Sequence, residues 1–513
     1  MTARELSMGR GGGAEASTAQ GGGAEAGTGR GGGAEASTAR PAARLARPLA
    51  RVFADPMLRN GHALIFSAGV TQAIGVLYWA VAARNYPAAV VGRNSAAISI
   101  TLFLAGIAEL NLMSTLVRFL PTSGTRSVRL ILTAYAASTV VATALGAGFL
   151  LLIPSVEPQL DFLRSGPFLV VWFVVSVITG AIFVLQDSAL TGVRAAPFVP
   201  LENATFSVLK LVMMVVLVGV VPASGIYVSW TAGFALAVIP TNIYLFARAI
   251  PRHLRRAPGQ APPPPRKADI RSYFVIDSLA GFFLLASTAL LPLMIIDRLG
   301  PAAAGHYAMA WMIGYALYLV SLNMGSSLVV ETAADQSDLR ARSLRCITHL
   351  AKLIVPAVAV IVVAAPYILS VFGPGYARAG TGALRLLALC ALPALVTNTA
   401  LSVARSQRRM GTVAGIQVAI CVLVWGLSAQ LMGHLGITGV GAAWLIAQTA
   451  TAAVLVAWPR LWLPPATAPR HQSTRRRGGR AATNPTGEET HVGKHDDEGP
   501  DGAGPATSAV SAT

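Results

Sequence analysis

Two acidic side chains within long apolar stretches are the clearest candidates for ion chemistry in this sequence. Glu109 stands near the end of one apolar stretch, and Asp277 stands near the start of another. An isolated carboxylate in apolar surroundings is unstable as an anion, so it binds a proton, a sodium ion or a basic partner. The pattern predicts that these two residues bind H⁺ or Na⁺. The alternative is that each simply pairs with a nearby arginine.

Polar residues recur at helical spacing in two apolar stretches, and one stands alone in a third. They are Gln72; Asn111, Ser114, Thr115 and Arg118; and Asn323 and Ser326. Residues three, four and seven positions apart lie on one face of a helix. We predict that this polar face lines a cavity, and the alternative is hydrogen-bonded packing between helices.

No catalytic or metal-binding pattern accompanies these residues. The apolar stretches contain no carboxylate pair, no Ser/His/Asp set and no phosphate-binding loop. The three cysteines, Cys346, Cys390 and Cys421, lack metal-ligand spacing. The sequence therefore predicts neither a catalytic residue nor a metal site.

The composition places the candidate residues in a membrane protein. Of 513 residues, 54% are hydrophobic and only 12% are charged, whereas soluble domains carry about 25% charged residues. Apolar stretches of about 20 residues match the width of a bilayer core. The net charge of +18 comes largely from arginines between these stretches, where they orient a membrane protein. We predict an all-α polytopic membrane protein that contacts membrane lipids and binds no nucleic acid.

Twelve transmembrane helices are predicted. They cover about 62–82, 94–117, 129–153, 167–186, 205–222, 225–247, 273–296, 306–330, 350–371, 381–404, 412–432 and 437–458. Arginine and lysine are concentrated in alternate loops and in the basic terminal segments. This asymmetry predicts that both termini are cytoplasmic.

The remaining segments have compositions typical of disorder or of linkers. Residues 1–60 include three Gly-rich decapeptides, GGGAEASTAQ, GGGAEAGTGR and GGGAEASTAR, and residues 461–513 are polar. Residues 248–272 are rich in proline and arginine, which indicates a cytoplasmic linker between two halves. The predicted bundles therefore cover 61–247 and 273–460.

Four pairs of short segments match between the two halves in the same order. The first pair joins Arg84-x-x-Pro87 and Gly92 to Arg298-x-x-Pro301 and Gly305. The others are LNLMSTLV with LNMGSSLV, DSALTGVR with NTALSVAR, and GIYVSW with GVGAAW, at offsets of 211 to 214 residues. Six helices per half keep the same membrane orientation. The pattern thus predicts two parallel-repeat six-helix bundles around a central cleft.

Four segments carry a resemblance to a known family. They are VAARNYPAAVVGRNSAAISITLFLAGIAELNLMSTLVRFLP, LLPLMIIDRLGPAAAGHYAMAWMIGYAL, SSLVVE and YILSVFGPGYARAGTGALRLLALCALP. These segments resemble bacterial polysaccharide-biosynthesis flippases, within the multidrug/oligosaccharidyl-lipid/polysaccharide exporter superfamily. The chain departs from the family at Ala88-Ala89, where an acidic residue is common. The resemblance implies alternating access in a bacterial plasma membrane, with a lipid-linked (polyprenyl-pyrophosphate) oligosaccharide as cargo and cytoplasmic glycosyltransferases as partners.

The resemblance also implies that cations meet the pyrophosphate group of the cargo. The candidates are Arg84, Arg298, Lys210 and Arg385. Their alternative role is to anchor helices by extending towards the membrane surface. Aromatic residues such as Trp79, Trp311 and Tyr315 could stack on sugars or belong to interfacial aromatic belts.

Two other functions remain open at the level of sequence. A cation-coupled exporter of drugs or small metabolites shares the superfamily, and a cationic drug would favour an acidic, aromatic cavity. A membrane glycosyltransferase or polymerase is disfavoured because the outer loops are short. We expect a transporter without a bound cofactor, driven by H⁺ or Na⁺.

Overall fold

A computed structural model of the chain describes residues 56–109, 112–256, 267–332 and 339–463. Side chains are described for most of these residues, with gaps that include 56–68, 267–274, 323 and 326–332. The decapeptide repeats, residues 257–266 of the predicted linker and the tail from 464 onwards lie outside the described residues.

The described residues form fifteen α-helices. They are α1 (Pro56–Asn85), α2 (Ala88–Glu109), α3 (Leu112–Phe119), α4 (Ser127–Val156), α5 (Pro167–Gly192), α6 (Val199–Leu217), α7 (Gly225–Tyr244), α8 (Ile250–Arg256), α9 (Lys267–Ala289), α10 (Leu291–Leu299), α11 (Pro301–Thr332), α12 (Leu339–Ser370), α13 (Pro374–Ser406), α14 (Met410–Leu435) and α15 (Ile437–Ala457). Ten stretches within the described residues are long and apolar enough to cross a membrane. The all-α membrane fold is thus confirmed.

Several helices extend beyond the predicted limits. Helix α5 continues to Gly192, α6 begins at Val199 and α12 begins at Leu339, whereas the predicted boundaries were 186, 205 and 350. The predicted linker contains α8 and the first residues of α9. Hydropathy detects the part of a helix that lies in the bilayer, while a helix continues as long as its residues favour helical structure.

Together with α1 and α11, these ten stretches form two lobes of six spans each. Helices α1 to α7 make the first lobe, in which α2 and α3 share the second span. Helices α9 to α15 make the second lobe, in which α9 and α10 share the seventh span. Helices α1 and α2 of the first lobe pack against α11 of the second. Helix α2 also packs against α9 and α10. The lobes therefore meet along the first, second, seventh and eighth spans.

Burial separates central helices from lipid-facing ones. In α2 and α13, 72% of the apolar core is buried within the protein, against 28% in the α4 span and 22% in α12. Helices α4 and α12 are third in their respective lobes, so the two halves place equivalent spans at the periphery. Their exposed side chains include Val140, Leu151, Val360 and Val363, which suit contact with lipid.

Two glycines bring the lobes into close contact at the predicted outer end. A Cβ atom on Gly92 of α2 would overlap the carbonyl oxygen of Pro301, and one on Gly305 of α11 would overlap the carbonyl oxygen of Ala88. Only glycine permits this separation, because small residues allow helix backbones to approach. Gly92 and Gly305 are also equivalent positions of the predicted repeat.

Further contacts join the lobes at the same end. Arg84 Nε donates a hydrogen bond of 2.8 Å to the carbonyl oxygen of Val371, which follows α12. Glu157, at the end of α4, is buried, and the carboxylate of Asp297 in α10 acts on it electrostatically. Burial, together with Asp297, raises the pKa of Glu157 to about 7. Two carboxyl groups from opposite lobes thus oppose each other where the lobes touch.

The glycine contact predicts that Gly305→Leu destabilises the protein. A larger side chain must push α11 away from α2, which costs about 1–3 kcal/mol for an overpacked site. We expect a lower thermal unfolding temperature in detergent. Gly148→Leu is the matched control, because a Cβ at that position meets nothing within 4 Å. Equal unfolding temperatures for both variants would contradict the close approach.

The Glu157–Asp297 pair predicts that the closed outer end weakens as pH rises. The pKa of Glu157 is raised from 4.5 to about 7, so its protonated form is the one that fits the contact. Stability is full below pH 4.5 and is lost as pH rises to about 7. Glu157→Gln should remove this loss in thermal unfolding measured across that range. Asp161→Asn, in the same loop but 61% exposed, should leave it intact.

Candidate functional site

One cavity lies between the two lobes. It has a volume of about 550 Å³, within the range of about 300–1,000 Å³ that is usual for small-molecule sites. Helices α1, α2, α6 and α7 of the first lobe line it together with α10 and α11 of the second. It extends from Ser95 and Pro292 to Val199, the first residue of α6. A cavity bounded by both lobes changes shape whenever the lobes move.

A break in the seventh span shapes one wall of this cavity. Helix α9 ends at Ala289 and α10 begins at Leu291, with Pro292 in its first turn. Proline lacks a backbone N–H and fits the first turn of a helix, whereas it disrupts a helix interior. The span is thus divided at the depth of the cavity, and Pro292 itself lines it.

Lys210 of α6 lies at the cavity within a cage of aromatic rings. Its side chain is only 4% exposed. Its Nζ atom lies 3.9 Å from the ring centroid of Trp230, 4.7 Å from that of Phe206 and 5.7 Å from that of Tyr78. These distances are typical of cation–π contacts. The alternative interpretation, in which Lys210 extends to the membrane surface, is therefore wrong.

A ladder of aromatic side chains forms the opposing wall on α11. Tyr307 stacks on Trp311, Trp311 on Tyr315, and Tyr315 on Tyr318, with centroid separations of 6.0, 5.6 and 5.8 Å. Spacings of four, four and three residues place the four rings on one helix face. Tyr307, Trp311 and Tyr315 line the cavity. The cavity thus offers flat apolar surfaces on both lobes.

The polar groups that line the cavity are mostly uncharged. They include Thr71, Gln72, Ser95, Ser99 and Asn203. Lys210 supplies the single charge among the described lining residues, and none of those residues is acidic. This balance is the reverse of the acidic, aromatic cavity that a cationic drug would favour.

Buried carboxylates form a separate group within the first lobe. Glu202 of α6 is 1% exposed and accepts a short hydrogen bond from Gln186 of α5. Asn242 donates to Gln186 at 2.7 Å, and Tyr135 donates to Asn242 at 3.0 Å. This chain of hydrogen bonds fixes the orientation of Glu202 between four helices.

Two further carboxylates lie beside Glu202. Asp187 of α5 interacts with both Glu109 and Glu202, and each of the three has a buried oxygen atom without a hydrogen-bond partner in the described structure. The described ion pairs do not include any of them. Such a group can hold a proton, because unpaired buried carboxylates are costly when all are ionised.

The sequence analysis identified Glu109 but missed Asp187 and Glu202. The predicted fourth span ended at 186 and the fifth began at 205, so both residues fell in a predicted loop. The structure places them inside α5 and α6. A search for acidic residues just beyond apolar stretches could have found them.

The second predicted ion-binding residue is not part of this group. Asp277 of α9 accepts a hydrogen bond of 3.3 Å from Ser114 of α3, across the two lobes. Ser114 thus contacts the other lobe, and it does not line the cavity among the described residues. Thr115 has interactions of its own, and Arg118 is exposed, 5.9 Å from the ring centroid of Phe119. Within the predicted polar face, Ser114 therefore contacts the other lobe instead of the cavity.

The remaining candidates are distributed as follows. Gln72 lines the cavity as predicted, whereas Asn111 and the side chains of Asn323 and Ser326 lie outside the described residues. Arg298 donates to the carbonyl oxygen of Ala429 at 2.7 Å, and Arg385 donates to that of Val362 at 3.0 Å. With Arg84, these arginines are exposed and apart from the cavity. The four predicted cations therefore do not form one site.

Structural comparison relates the fold to known transporters. An inward-facing multidrug resistance MATE family transporter of the MOP superfamily matches with a TM-score of 0.57 and 16% identity, over 78% of this chain and 93% of that one. An outward-facing conformation of a MATE family transporter matches with a TM-score of 0.56 and 15% identity, over 80% and 97%.

A third matching transporter is described as having a different kind of binding pocket. A MOP superfamily transporter from Pyrococcus furiosus, described as having a binding pocket of reverse polarity, matches with a TM-score of 0.56 and 14% identity, over 80% of this chain and 96% of that one. No family model matches the chain, and no curated protein matches it. The similarity to these three structures shows that the chain shares their fold.

Proposed function

We propose that this chain is a secondary transporter that exports small amphipathic compounds by alternating access. The observation that carries the proposal is the 550 Å³ cavity lined by helices of both lobes. Rocking of two similar lobes exposes such a cavity to each side of a membrane in turn. In one of these states the cavity must be closed at the outer end, and the contact between Gly92 and Gly305 can provide that closure.

The dimensions and the lining of the cavity support cargo of drug or metabolite size. Aromatic side chains on both lobes offer stacking surfaces, and scattered hydroxyl and amide groups offer hydrogen bonds. Two of the structural matches are named as multidrug resistance transporters, which favours the same class of function. The proposed location is a bacterial plasma membrane with both termini cytoplasmic.

Flipping of a lipid-linked oligosaccharide is the second candidate function. The resemblance of short segments to polysaccharide flippases supports it, as does a cavity whose one described charge is positive. The three exposed arginines outside the cavity do not support a pyrophosphate site. Cytoplasmic glycosyltransferases would be partners only under this second function.

We further propose that proton or sodium binding to the carboxylates of the first lobe drives transport. Glu202 lies on α6, the helix that also carries Lys210 into the cavity. A charge change at Glu202 can therefore alter the helix that contacts cargo. Asp277, which joins the lobes through Ser114, is a second candidate.

The cavity predicts a block of transport by steric filling. Purified protein in liposomes should move members of a panel of anionic, neutral and cationic aromatic compounds, quantified by mass spectrometry. Ala308→Trp, which projects a ring into the cavity, should reduce transport at least about tenfold, because misplacing a binding group by a small distance has effects of that size. Val140→Trp, on the lipid-facing side of α4 with 69% exposure, is the control.

Native mass spectrometry separates the two candidate functions. A co-purifying polyprenyl-linked glycan, lost in Ala308→Trp and kept in Val140→Trp, would favour flipping. Transport of soluble compounds without such a lipid would favour the exporter. Equal transport by both variants would contradict a role for the cavity.

The carboxylate group predicts loss of ion coupling in Glu202→Gln. The amide keeps the shape of the side chain and removes its titratable proton. We expect uptake driven by a pH or sodium gradient to fall to the rate seen without a gradient, while exchange at equal ion concentrations persists. Asp161→Asn, which changes an exposed carboxylate at the other end of the lobe, should retain gradient-driven uptake. Normal coupling in Glu202→Gln would exclude this residue as the ion site.

A further inference from the structure

The ammonium group of Lys210 lies at the central cavity without a hydrogen-bond acceptor. Among the described residues, aromatic rings surround its Nζ atom, and no hydrogen bond or ion pair joins it to an oxygen atom. Lys210 and Trp230 line the same cavity. The site therefore presents an ammonium group and an aromatic ring to whatever occupies the cavity.

The aromatic cage compensates only part of the cost of burying Lys210. Cation–π contacts are weaker than the hydration that an ammonium group loses on burial. Lys210 is 4% exposed, so water hydrates little of its side chain. An oxyanion in the cavity would supply the missing charge and accept a hydrogen bond from the ammonium group.

No other described group neutralises this site. The described lining residues are free of carboxylates. The nearest acid along α6 is Glu202, which is eight residues before Lys210, or about 12 Å along the helix, and it is bonded to Gln186. Arg84, which could compete for an anion, donates to Val371 at the outer end.

We propose that Lys210 and Trp230 form the recognition site for an oxyanion group of the cargo. The group is a carboxylate, sulfonate or phosphate attached to an apolar or aromatic body. That body packs between the Trp79–Trp230 pair of the first lobe and the Trp311–Tyr315 pair of the second. The inference rests on the proposed transport function in taking the occupant of the cavity to be cargo.

A simpler interpretation is that the rings merely accommodate a structural lysine. That role requires no ligand, so removal of the charge would change stability and leave ligand binding alone. Recognition of an oxyanion instead requires that removal of the charge weakens ligand binding without lowering stability. Lys210→Met should bind anions weakly while its unfolding temperature stays equal or rises, because a buried ion has been removed.

The test uses the full chain in detergent and four probes. These are 2-naphthoate, its uncharged amide, the corresponding ammonium compound 2-naphthylmethylamine, and farnesyl pyrophosphate. Trp79, Trp230 and Trp311 line the cavity, so quenching of intrinsic tryptophan fluorescence reports binding. We expect 2-naphthoate or farnesyl pyrophosphate to bind the wild type about tenfold or more tightly than the amide, as charged hydrogen bonds allow. Preference for the naphthoate indicates soluble cargo, and preference for farnesyl pyrophosphate indicates a lipid-linked one.

Four variants test which residues bind the anion. Lys210→Met should weaken anion binding about tenfold and leave amide binding unchanged, and Lys210→Arg should retain most of the anion affinity. Trp230→Phe, which keeps an aromatic ring beside Lys210, should retain most of the anion affinity. Arg385→Met, an exposed residue apart from the cavity, should behave as wild type. If Lys210→Met does not fold, Lys210→Gln takes its place.

Three results would overturn the inference: tighter binding of the ammonium probe, equal anion binding by wild type and Lys210→Met, or no binding of either anion. These results are distinct from failure of the proposed function. Lys210-dependent binding without transport in liposomes would retain the oxyanion site and reject the transporter. Transport that is blocked by Ala308→Trp and indifferent to cargo charge would retain the transporter and reject the site.

Discussion

The close approach of α2 and α11 is the contact on which the arrangement of the two lobes depends. Gly92 and Gly305 let two helix backbones meet at the predicted outer end, and the cavity lies between the same lobes at greater depth. The lobes also touch further along, where the ring centroids of Phe103 in α2 and Phe282 in α9 lie 5.9 Å apart and Ser114 of α3 donates to Asp277 of α9. Residues with larger side chains at either glycine would separate α2 from α11 where their backbones now touch. The glycine contact therefore sets how closely the two lobes can approach at that end.

Helix α6 carries both a buried carboxylate, Glu202, and the lysine of the cavity, Lys210. Glu202 lies within the first lobe among α5 and α7 side chains, and Lys210 lies at the cavity. Both sit on one continuous helix of nineteen residues. The proposed ion site and the proposed anion site thus share one rigid element. About 12 Å of helix separates the two residues, so they do not form an ion pair with each other.

The sequence predicted the architecture better than the site. Long apolar stretches revealed the spans, because every membrane-crossing backbone must satisfy its own hydrogen bonds in helices. Repeated segments predicted two lobes, and Gly92 and Gly305 prove to be contacting members of that repeat. Arg84 and Lys210 are both basic residues within or near spans, yet one is exposed and the other is buried among rings. Tertiary packing decides that difference, and composition does not encode it.

The two lobes share a fold and differ in where they place charge. Trp230 and Trp444 are equivalent in the repeat, and each indole N–H lacks a described partner. At the repeat offsets, however, Lys210 corresponds to the apolar segment 421–424, and Asp187 corresponds to Asn398. The second lobe contributes instead the ring ladder of α11. The carboxylates around Glu202 and the cavity lysine therefore lie in the first lobe, and the described cavity lining of the second lobe is uncharged. Under the proposed function, cargo packs against this uncharged wall while its charged group meets the first lobe.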